Sequence, residues 1–286
     1  MDQELDITPR TLQQETQGSL FPLIWLVLSA LLWGMLPILF LYIPLGSLEL
    51  LLPKTNRLRQ SMRRIREEVF TGMIKSYLRM QPWYRPEYCL EELTKIKKRS
   101  SPQGILLISN HRSHLDVFLF LSQVKGIQVL ARESLFKVPV LNLMMKLTRQ
   151  IPAQSGNLKS LARAAEIIRE RLRSGESVLI FPEFTRCPAH FCGVQPFSLL
   201  PFQIAVQEKV AILPLVVTGT DEAWPRGTLR LKRSSRKQKI VALPAIEIHG
   251  TEDLQKLRDF VQHNILTVVQ EEYRHEAQNP PLHSHL

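Results

Sequence analysis

Hydrophobic and polar positions divide the chain into an apolar N-terminal run and a longer part in which short apolar runs alternate with amphipathic stretches. Residues 20–45 carry no charged side chain, and a run of this length can cross a bilayer once. The run contains Pro22, Gly34, Pro37 and Pro44. A kinked or re-entrant helix pair in one leaflet is therefore the competing interpretation, and a buried core helix is the third. We predict an N-terminal apolar membrane helix or helix pair.

The segment after this run is basic and has helical periodicity. Residues 54–79 hold eight Lys or Arg against Glu67 and Glu68. The apolar positions between the charges are Leu58, Met62, Ile65, Val69, Met73 and Leu78. The pattern favours an amphipathic helix whose cationic face meets anionic membrane lipid, with a solvated basic helix as the alternative. The positive-inside rule then predicts that the rest of the chain, including the catalytic domain, lies on the cytoplasmic face of the membrane.

From residue 104 onward, predicted strands and helices alternate. The strands are expected at 105–108, 127–131, 177–181, 210–217 and 239–243, and the helices at 117–121, 138–147, 158–172 and 253–272. Residues 83–98 have the composition of a linker and a short helix. This order predicts an α/β fold with a mixed, mostly parallel central sheet flanked by helices. We expect a membrane anchor and basic helix at 1–80, a folded domain at 81–275 and a disordered tail at 276–286.

Composition narrows the classes of function. The formal net charge of +11 suits nucleic acid, an anionic membrane surface, or an acidic substrate or carrier. The positive charge is concentrated beside the apolar run and no nucleic-acid recognition motif is present, so we expect no nucleic-acid partner. Three cysteines do not form a disulfide framework and indicate a reducing compartment. Cys187 and Cys192 lack a matching set of further ligands, and no metal is expected.

A histidine and an aspartate follow the first buried strand. His111 lies on the expected turn and Asp116 in the first turn of the next helix, where a carboxylate is stabilised. From there Asp116 can accept the Nδ1 proton of the imidazole and leave Nε2 free as a base. An ordinary loop histidine beside a helix cap is the structural alternative, and His114 is a rival base.

A second polar segment follows the strand at 177–181. Residues 181–186 read Phe-Pro-Glu-Phe-Thr-Arg. Arg186 offers a planar fork of donors that matches a phosphate. Glu183 can orient that arginine or accept a substrate hydroxyl.

The two segments together resemble the glycerolipid acyltransferase family of the 1-acylglycerol-3-phosphate acyltransferase type, which carries an H-x4-D block followed by an F-P-E-G-T-R block. Residues 132–139 and 212–216 resemble its second and fourth blocks. The resemblance implies transfer of a fatty acyl group from acyl-CoA or acyl carrier protein to a hydroxyl of a lysolipid acceptor, without a cofactor. It implies His111 as general base, oriented by Asp116. The implied substrate-binding residues are Glu183, Thr185, Arg186 and Arg132.

The chain departs from the family pattern in three places. Phe184 replaces the glycine of the third block, residues 150–155 lack the arginine that helps to hold acceptor phosphate, and Ser198 stands where many members have a lysine. A different lysolipid, another hydroxylated or aminated acceptor, or a non-catalytic lipid or acyl-carrier binding protein are the alternatives that these departures leave open. A covalent route through Ser113 lacks the Gly-x-Ser-x-Gly context.

A second basic segment, residues 226–239, holds seven Lys or Arg and no acid. It suits the phosphates of CoA, an acidic carrier protein or anionic lipid, and a solvated loop is the alternative.

Overall fold

A seven-stranded sheet forms the centre of the protein. The computed structural model describes residues 24–25, 28–29, 40, 42–53, 57–81, 84–97, 103–137, 142, 145–146, 148–188, 191–227 and 236–278. The strands are β1 (Pro86–Cys89), β2 (Leu106–Ser109), β3 (Gln128–Arg132), β4 (Ile151–Ala153), β5 (Val178–Ile180), β6 (Ile212–Thr218) and β7 (Gln238–Ala242).

The strand order is β1-β7-β6-β2-β5-β3-β4. Neighbouring strands are parallel except for the antiparallel pair β6 and β7. The predicted mixed and mostly parallel sheet is therefore confirmed. Strands β2, β5 and β6 are buried along their whole length, as expected for apolar strands that are covered on both faces.

Helices cover both faces of the sheet. They are α1 (Ile43–Leu51), α2 (Arg57–Arg79), α3 (Glu91–Lys97), α4 (Leu115–Gln123), α5 (Leu158–Arg173), α6 (Leu200–Glu208), the short α7 (Thr220–Ala223) and α8 (Leu254–Gln278), with a 3-10 helix at Glu133–Lys137. One hydrophobic core joins α2, α3 and α4 to the sheet, and a second joins α5, α6 and α8 to its other face.

Most elements predicted within the domain are present, with boundaries shifted by a few residues. The short strands β1 and β4 and the helix α6 were not predicted; β1 occupies part of the segment expected to be a linker. Of the helix predicted at 138–147, residues 142, 145 and 146 are helical and the others lie outside the described range. Helix α8 extends to Gln278, into the segment expected to be disordered, and residues 279–286 lie outside the described range.

The predicted N-terminal membrane helix or helix pair falls largely on residues that are not described. Among the residues that are, no helix has the length and apolar character needed to cross a membrane.

Helix α2 packs on the domain, because its buried face contacts α4. The buried residues are Met62, Arg66, Phe70, Thr71, Ile74, Tyr77 and Leu78. The expected single apolar stripe is therefore divided: Met62 and Leu78 face the core, whereas Leu58 and Ile65 are 57% and 51% exposed. Two of its arginines also pair inside the protein, Arg63 with Glu67 and Glu176, and Arg66 with Glu49.

Candidate active site

Three loops meet at one edge of the sheet. Strands β5 and β6 flank β2 on either side and both run parallel to it, so the carboxyl ends of the three strands lie at the same edge. Ligands bind at this edge in α/β folds. The loop after β2 carries His111, the loop after β5 carries Glu183 and Arg186, and α7 follows β6 directly.

The structure brings the imidazole of His111 and the carboxylate of Asp116 into contact. His111 Nδ1 lies 2.8 Å from Asp116 Oδ2. The imidazole also stacks on the ring of Phe181, with centroids 4.2 Å apart and planes inclined by 21°. The His111 side chain is 17% exposed, whereas that of Asp116 is fully buried. A carboxylate at Nδ1 fixes the tautomer in which Nε2 is free to accept a proton.

Asp116 is held by four donors from two parts of the chain. Oδ2 also accepts the backbone N–H groups of Arg112 and Ser113 at 2.7 and 2.8 Å. Oδ1 accepts the hydroxyl of Thr220 at 2.5 Å. Thr220 follows Gly219, whose φ is 75° and whose added Cβ would lie 2.1 Å from the carbonyl oxygen of Lys237. Only glycine fits that approach, so the turn after β6 is shaped to deliver Thr220 to Asp116.

The loop that carries His111 is bonded to strand β6 and to the segment that follows β5. The side-chain amide of Asn110 donates to the Val217 carbonyl and accepts from the Val217 N–H, both at 2.8 Å. The His111 N–H donates to Glu183 Oε1 at 2.8 Å, and the Cys187 N–H donates to the His111 carbonyl at 2.8 Å. The position of the imidazole is therefore set by the 183–187 segment as well as by its own loop.

Both carboxylate oxygens of Glu183 are used within the protein. Oε2 accepts the Gln195 N–H at 2.9 Å and the Cys187 thiol at 3.1 Å. Burial raises the pKa of Glu183, although these bonds and the His111 N–H oppose the shift. Burial and the adjacent Glu183 raise the pKa of Cys187 to about 12. In the structure Glu183 bonds to the segments that carry His111, Cys187 and Gln195. The expected binding of substrate by Glu183 stays a prediction.

Three arginines give the mouth of the site a positive potential. Burial lowers the pKa of Arg186, and the charges of Arg226 and Arg132 lower it further against the opposing effect of Asp116. Arg226 Nη1 donates to the Arg186 carbonyl at 2.7 Å. Arg186 Nη1 is buried and has no hydrogen-bond partner among the described residues. A guanidinium in this state is suited to an anionic ligand.

Phe184 and Thr185 complete the segment between Glu183 and Arg186, and both are half-buried. Phe184 has φ of 51°, a left-handed conformation that glycine adopts without strain. The backbone at residue 184 therefore has a conformation suited to glycine, although the residue carries a benzyl side chain. No hydrogen bond of the Thr185 side chain is formed with any described residue.

A buried ion pair joins the loop that carries His111 to helix α7. The side chain of Arg112 is fully buried and lies 2.8 Å from Asp221 Oδ2. It donates to the carbonyls of Phe191 and Gly193, and its guanidinium carbon is 4.8 Å from the ring centroid of Tyr273. The Tyr273 hydroxyl donates to Asp221 at 3.0 Å. Burial raises the pKa of Asp221, but Arg112 outweighs it and the pKa lies below its usual value.

The remaining candidates from the sequence have other environments. His114 is exposed and makes an edge contact with Trp224. Although part of the residue is exposed, desolvation of the imidazole by the surrounding protein and the charge of the nearby Arg186 lower the pKa of His114 to about 4. The Ser113 hydroxyl donates to the Trp224 carbonyl. Arg149 pairs with Glu176, which precedes the amino end of β5, at the sheet edge opposite His111.

The second basic segment is partly engaged with acids. Of its described members, Arg236 lies near Glu222, Lys237 pairs with Glu87, and Lys239 pairs with Glu272. Among the described residues of this segment, Arg226 reaches the site, where it contacts Arg186.

Comparison with known proteins shows what this chain resembles. Residues 91–218, somewhat less than half of the chain, match the family model described as Acyltransferase. The comparisons support a likeness to the glycerolipid acyltransferase family. The matched region runs from α3 to the end of β6 and includes His111, Asp116 and Arg186.

Curated proteins that are similar to this chain are named as acyltransferases. The chain is 25% identical over 182 residues to the chloroplastic 1-acyl-sn-glycerol-3-phosphate acyltransferase LPAT1 of Arabidopsis thaliana, covering 64% of this chain and 49% of that protein. It is 30% identical over 129 residues to a 1-acyl-sn-glycerol-3-phosphate acyltransferase of Cocos nucifera, covering 44% of this chain and 41% of that one. The chain thus spans about half the length of such relatives.

A crystal structure of the 1-acyl-sn-glycerophosphate acyltransferase PlsC from Thermotoga maritima has the same fold. The TM-score is 0.66 at 22% identity, over 88% of this chain and 98% of that one.

Three residues that support the site, Thr220, Asp221 and Tyr273, lie beyond the family match. Thr220 bonds to Asp116, and Asp221 and Tyr273 contact Arg112, in each case more than a hundred residues earlier in the chain. No local pattern signals such pairs, so sequence reasoning missed them. Arg226 also lies beyond the match and belongs to the basic segment that the sequence singled out.

Proposed function

We propose that this chain is an O-acyltransferase that moves a fatty acyl group from a thioester to a hydroxyl of a lysophospholipid. The observation that supports the proposal is the contact between the His111 imidazole and the buried Asp116. This pair lies beside Arg132, Arg186 and Arg226. A base next to an anion-binding surface is the arrangement that deprotonation of a phosphate-bearing alcohol requires.

The proposed reaction uses His111 Nε2 as the base. Nε2 accepts the hydroxyl proton while the oxygen attacks the thioester carbonyl, and Asp116 stabilises the imidazolium that forms. Collapse of the tetrahedral intermediate breaks the C–S bond, and the imidazolium returns its proton to the departing sulfur. No covalent acyl-enzyme is needed. The Ser113 hydroxyl donates to a backbone carbonyl. This bond supports a route in which Ser113 is not the nucleophile.

The arginine cluster supports a phosphorylated acceptor of the 1-acylglycerol-3-phosphate type. Arg186 and Arg132 come from the third and second blocks of the family, whereas Arg226 comes from outside the matched region. We infer that Arg226 supplies the positive charge that residues 150–155 lack, and that Thr185 borders the acceptor. Glu183 acts by positioning, since its oxygens accept from backbone and thiol groups.

We further propose that the protein binds an anionic membrane surface from its cytoplasmic side. Exposed apolar side chains support this, and they concentrate in the N-terminal part of the described chain. They include Ile24, Leu28, Phe40, Leu48, Leu51, Leu58 and Ile65. Leu58 and Ile65 are seven residues apart on α2 and so share one face, next to the exposed Arg57 and Arg64.

The test is acyl transfer by the purified protein in vesicles. With 1-acylglycerol 3-phosphate and either acyl-CoA or acyl carrier protein thioester, we expect free thiol and diacyl product in equal amounts. Arg186→Ala should raise KM for the phosphorylated acceptor by about tenfold or more, because it removes a charge-assisted contact. Lys159→Ala, on the exposed surface of α5, is the control. Absence of product with either thioester on a panel of lysolipids would refute the proposal.

A further inference from the structure

A second concave site lies on the α4 side of the sheet, apart from the catalytic loops. It encloses about 730 Å³, part of it open to solvent, and is lined by Lys75, Arg79, Tyr84, Pro86, Tyr88 and Gln123. These residues belong to the end of α2, the segment entering β1, and the end of α4. None takes part in the network around His111.

The two cations of this site have no acidic partner within the part of the chain that the structure describes. Lys75 and Arg79 are four residues apart on α2 and therefore share a face. Neither makes an ion pair or hydrogen bond with any residue that the structure describes. Arg63 and Arg66, earlier on the same helix, pair with Glu67, Glu176 and Glu49. The two free cations thus leave a local excess of positive charge, which suits phosphate groups.

Two tyrosines line the site, and their hydroxyl groups form a hydrogen bond with each other. The hydroxyls of Tyr84 and Tyr88 are 2.6 Å apart, and that of Tyr88 lies 3.4 Å from Ser122 Oγ. Both tyrosines pack against the core on the α4 side of the sheet and are half-buried. Aromatic faces beside cations are the combination that binds a nucleobase together with its phosphates.

The site and the catalytic pair are joined by one helix. Ser122 is six residues after Asp116 on α4, which corresponds to a rise of about 9 Å. Phe181, on which the His111 ring stacks, belongs to the same core as Tyr84 and Tyr88. A donor held in the tyrosine site therefore needs an extended arm to deliver a thioester to His111.

We propose that this site binds the phosphorylated adenosine end of acyl-CoA, so that the acyl donor is a CoA thioester. The inference rests on the proposed acyltransferase function. Coenzyme A matches the site in chemistry, because it carries an adenine ring and several phosphates at one end of a long flexible arm. An acyl carrier protein presents its arm from a folded acidic surface and has no adenine to occupy an aromatic pocket.

The first experiment measures binding without turnover. Coenzyme A and adenosine 3′,5′-bisphosphate are titrated calorimetrically into the full chain. We expect both to bind, and the double variant Lys75→Ala, Arg79→Ala to weaken both by about tenfold or more. Tyr84→Phe should bind nearly as the wild type, and Tyr84→Ala should bind more weakly. Lys159→Ala, which removes an exposed cation from the opposite face, should leave both affinities unchanged.

The second experiment compares two donors that differ only in the nucleotide. The double variant should raise KM for acyl-CoA by about tenfold and leave KM for acyl-phosphopantetheine unchanged. Equal effects on the two donors would overturn the proposal. So would an unchanged affinity for coenzyme A together with lost binding to vesicles containing phosphatidic acid, since the cations would then serve a lipid headgroup.

The two proposals fail in different ways. Acyl transfer from carrier protein alone, with no binding of coenzyme A, would overturn the nucleotide site and leave the acyltransferase function intact. Nucleotide binding that depends on Lys75 and Arg79 in a protein that transfers no acyl group would support the site and refute the function.

Discussion

At the scale of single residues, His111 and Asp116 are held mainly by hydrogen bonds that involve backbone groups. The N–H and carbonyl of His111 are both bonded to the 183–187 segment, and Asp116 accepts two backbone N–H groups besides the imidazole. In the proposed mechanism, a ring held in this way is oriented before substrate arrives, which reduces the reorganisation needed in the transition state. On that proposal, the buried carboxylate of Glu183 contributes to the rate by positioning His111, even though its oxygens face protein groups.

Phe184 provides a test of backbone strain at a single residue. Its φ of 51° suits glycine, and alanine and phenylalanine are both strained there. We expect Phe184→Gly to have a free energy of unfolding about 1 kcal/mol higher than that of Phe184→Ala. Both variants lose the benzyl group, so urea denaturation of the pair isolates the backbone contribution. Equal stability of the two variants would show that the turn is unstrained.

His114 makes stability depend on pH. Its pKa is lowered from 6.5 to about 4 by burial and by Arg186. Below about pH 6.5 the unfolded chain binds a proton at His114 that the folded chain does not. The free energy of unfolding therefore falls as the pH decreases from 6.5 to about 4, by about 1 kcal/mol after allowance for solvent screening of an exposed residue.

The measurement is the difference between the wild type and His114→Gln at pH 7 and at pH 4.5. Glutamine cannot titrate, so the variant should lose less stability on acidification than the wild type does. An identical loss in both proteins would assign the pH dependence to other groups.

Among the secondary-structure elements, those that border the candidate active site were the ones the sequence predicted best. Strands β2, β5 and β6 are continuous apolar runs, and the His111–Asp116 pair is local, so pattern and spacing were sufficient. Strand β1 is half-buried and begins with Pro86, and β4 has three residues, which gives no clear periodicity. Helix α6 begins with an apolar run containing Pro201 and lacks an amphipathic pattern. The links from α7 and α8 to the catalytic loop join residues more than a hundred positions apart.

The Arg112–Asp221 pair connects the catalytic loop to α7, with Tyr273 of α8 over the guanidinium. Arg112→Met would leave the carboxylate of Asp221 buried without its cation. We expect a loss of about 3 kcal/mol or more in the free energy of unfolding. The double variant Arg112→Met, Asp221→Asn should lose clearly less than the sum of the two single variants, which denaturation of all four proteins measures.

The control for this cycle is an ion pair at the surface. Lys125 and Glu68 lie 2.7 Å apart and both are largely exposed. Lys125→Met should change stability by about 0.5 kcal/mol or less. Additive effects of the Arg112 and Asp221 substitutions would contradict the view that these residues act as a unit.

In the whole molecule, the helix expected to lie on a membrane is also part of the domain. Phe70, Ile74 and Tyr77 of α2 join the core beneath α4, while Leu58 and Ile65 face outward. Periodicity alone could not separate the two faces, because apolar residues occur on both. The sequence predicted the helix correctly but not which of its apolar residues the domain buries.

Substitutions on the outward face of α2 should therefore affect membrane binding, and substitutions on its buried face should affect stability. Leu58→Ser with Ile65→Ser should leave the melting temperature nearly unchanged and weaken binding to anionic vesicles by about tenfold or more, because two apolar side chains are lost. Phe70→Ala should cost about 3 kcal/mol of stability, because it leaves a cavity in the core. Vesicle sedimentation and thermal denaturation of the same samples make the comparison. Unchanged vesicle binding in the serine variant would contradict a membrane role for this face.

The most direct measurement for the whole account is the rate of acyl transfer by His111→Ala relative to the wild type, with near-ultraviolet circular dichroism to verify packing. We predict a decrease of about a thousandfold or more, because the base that accepts the hydroxyl proton is removed. Transfer at the wild-type rate by a correctly folded His111→Ala protein would contradict the account.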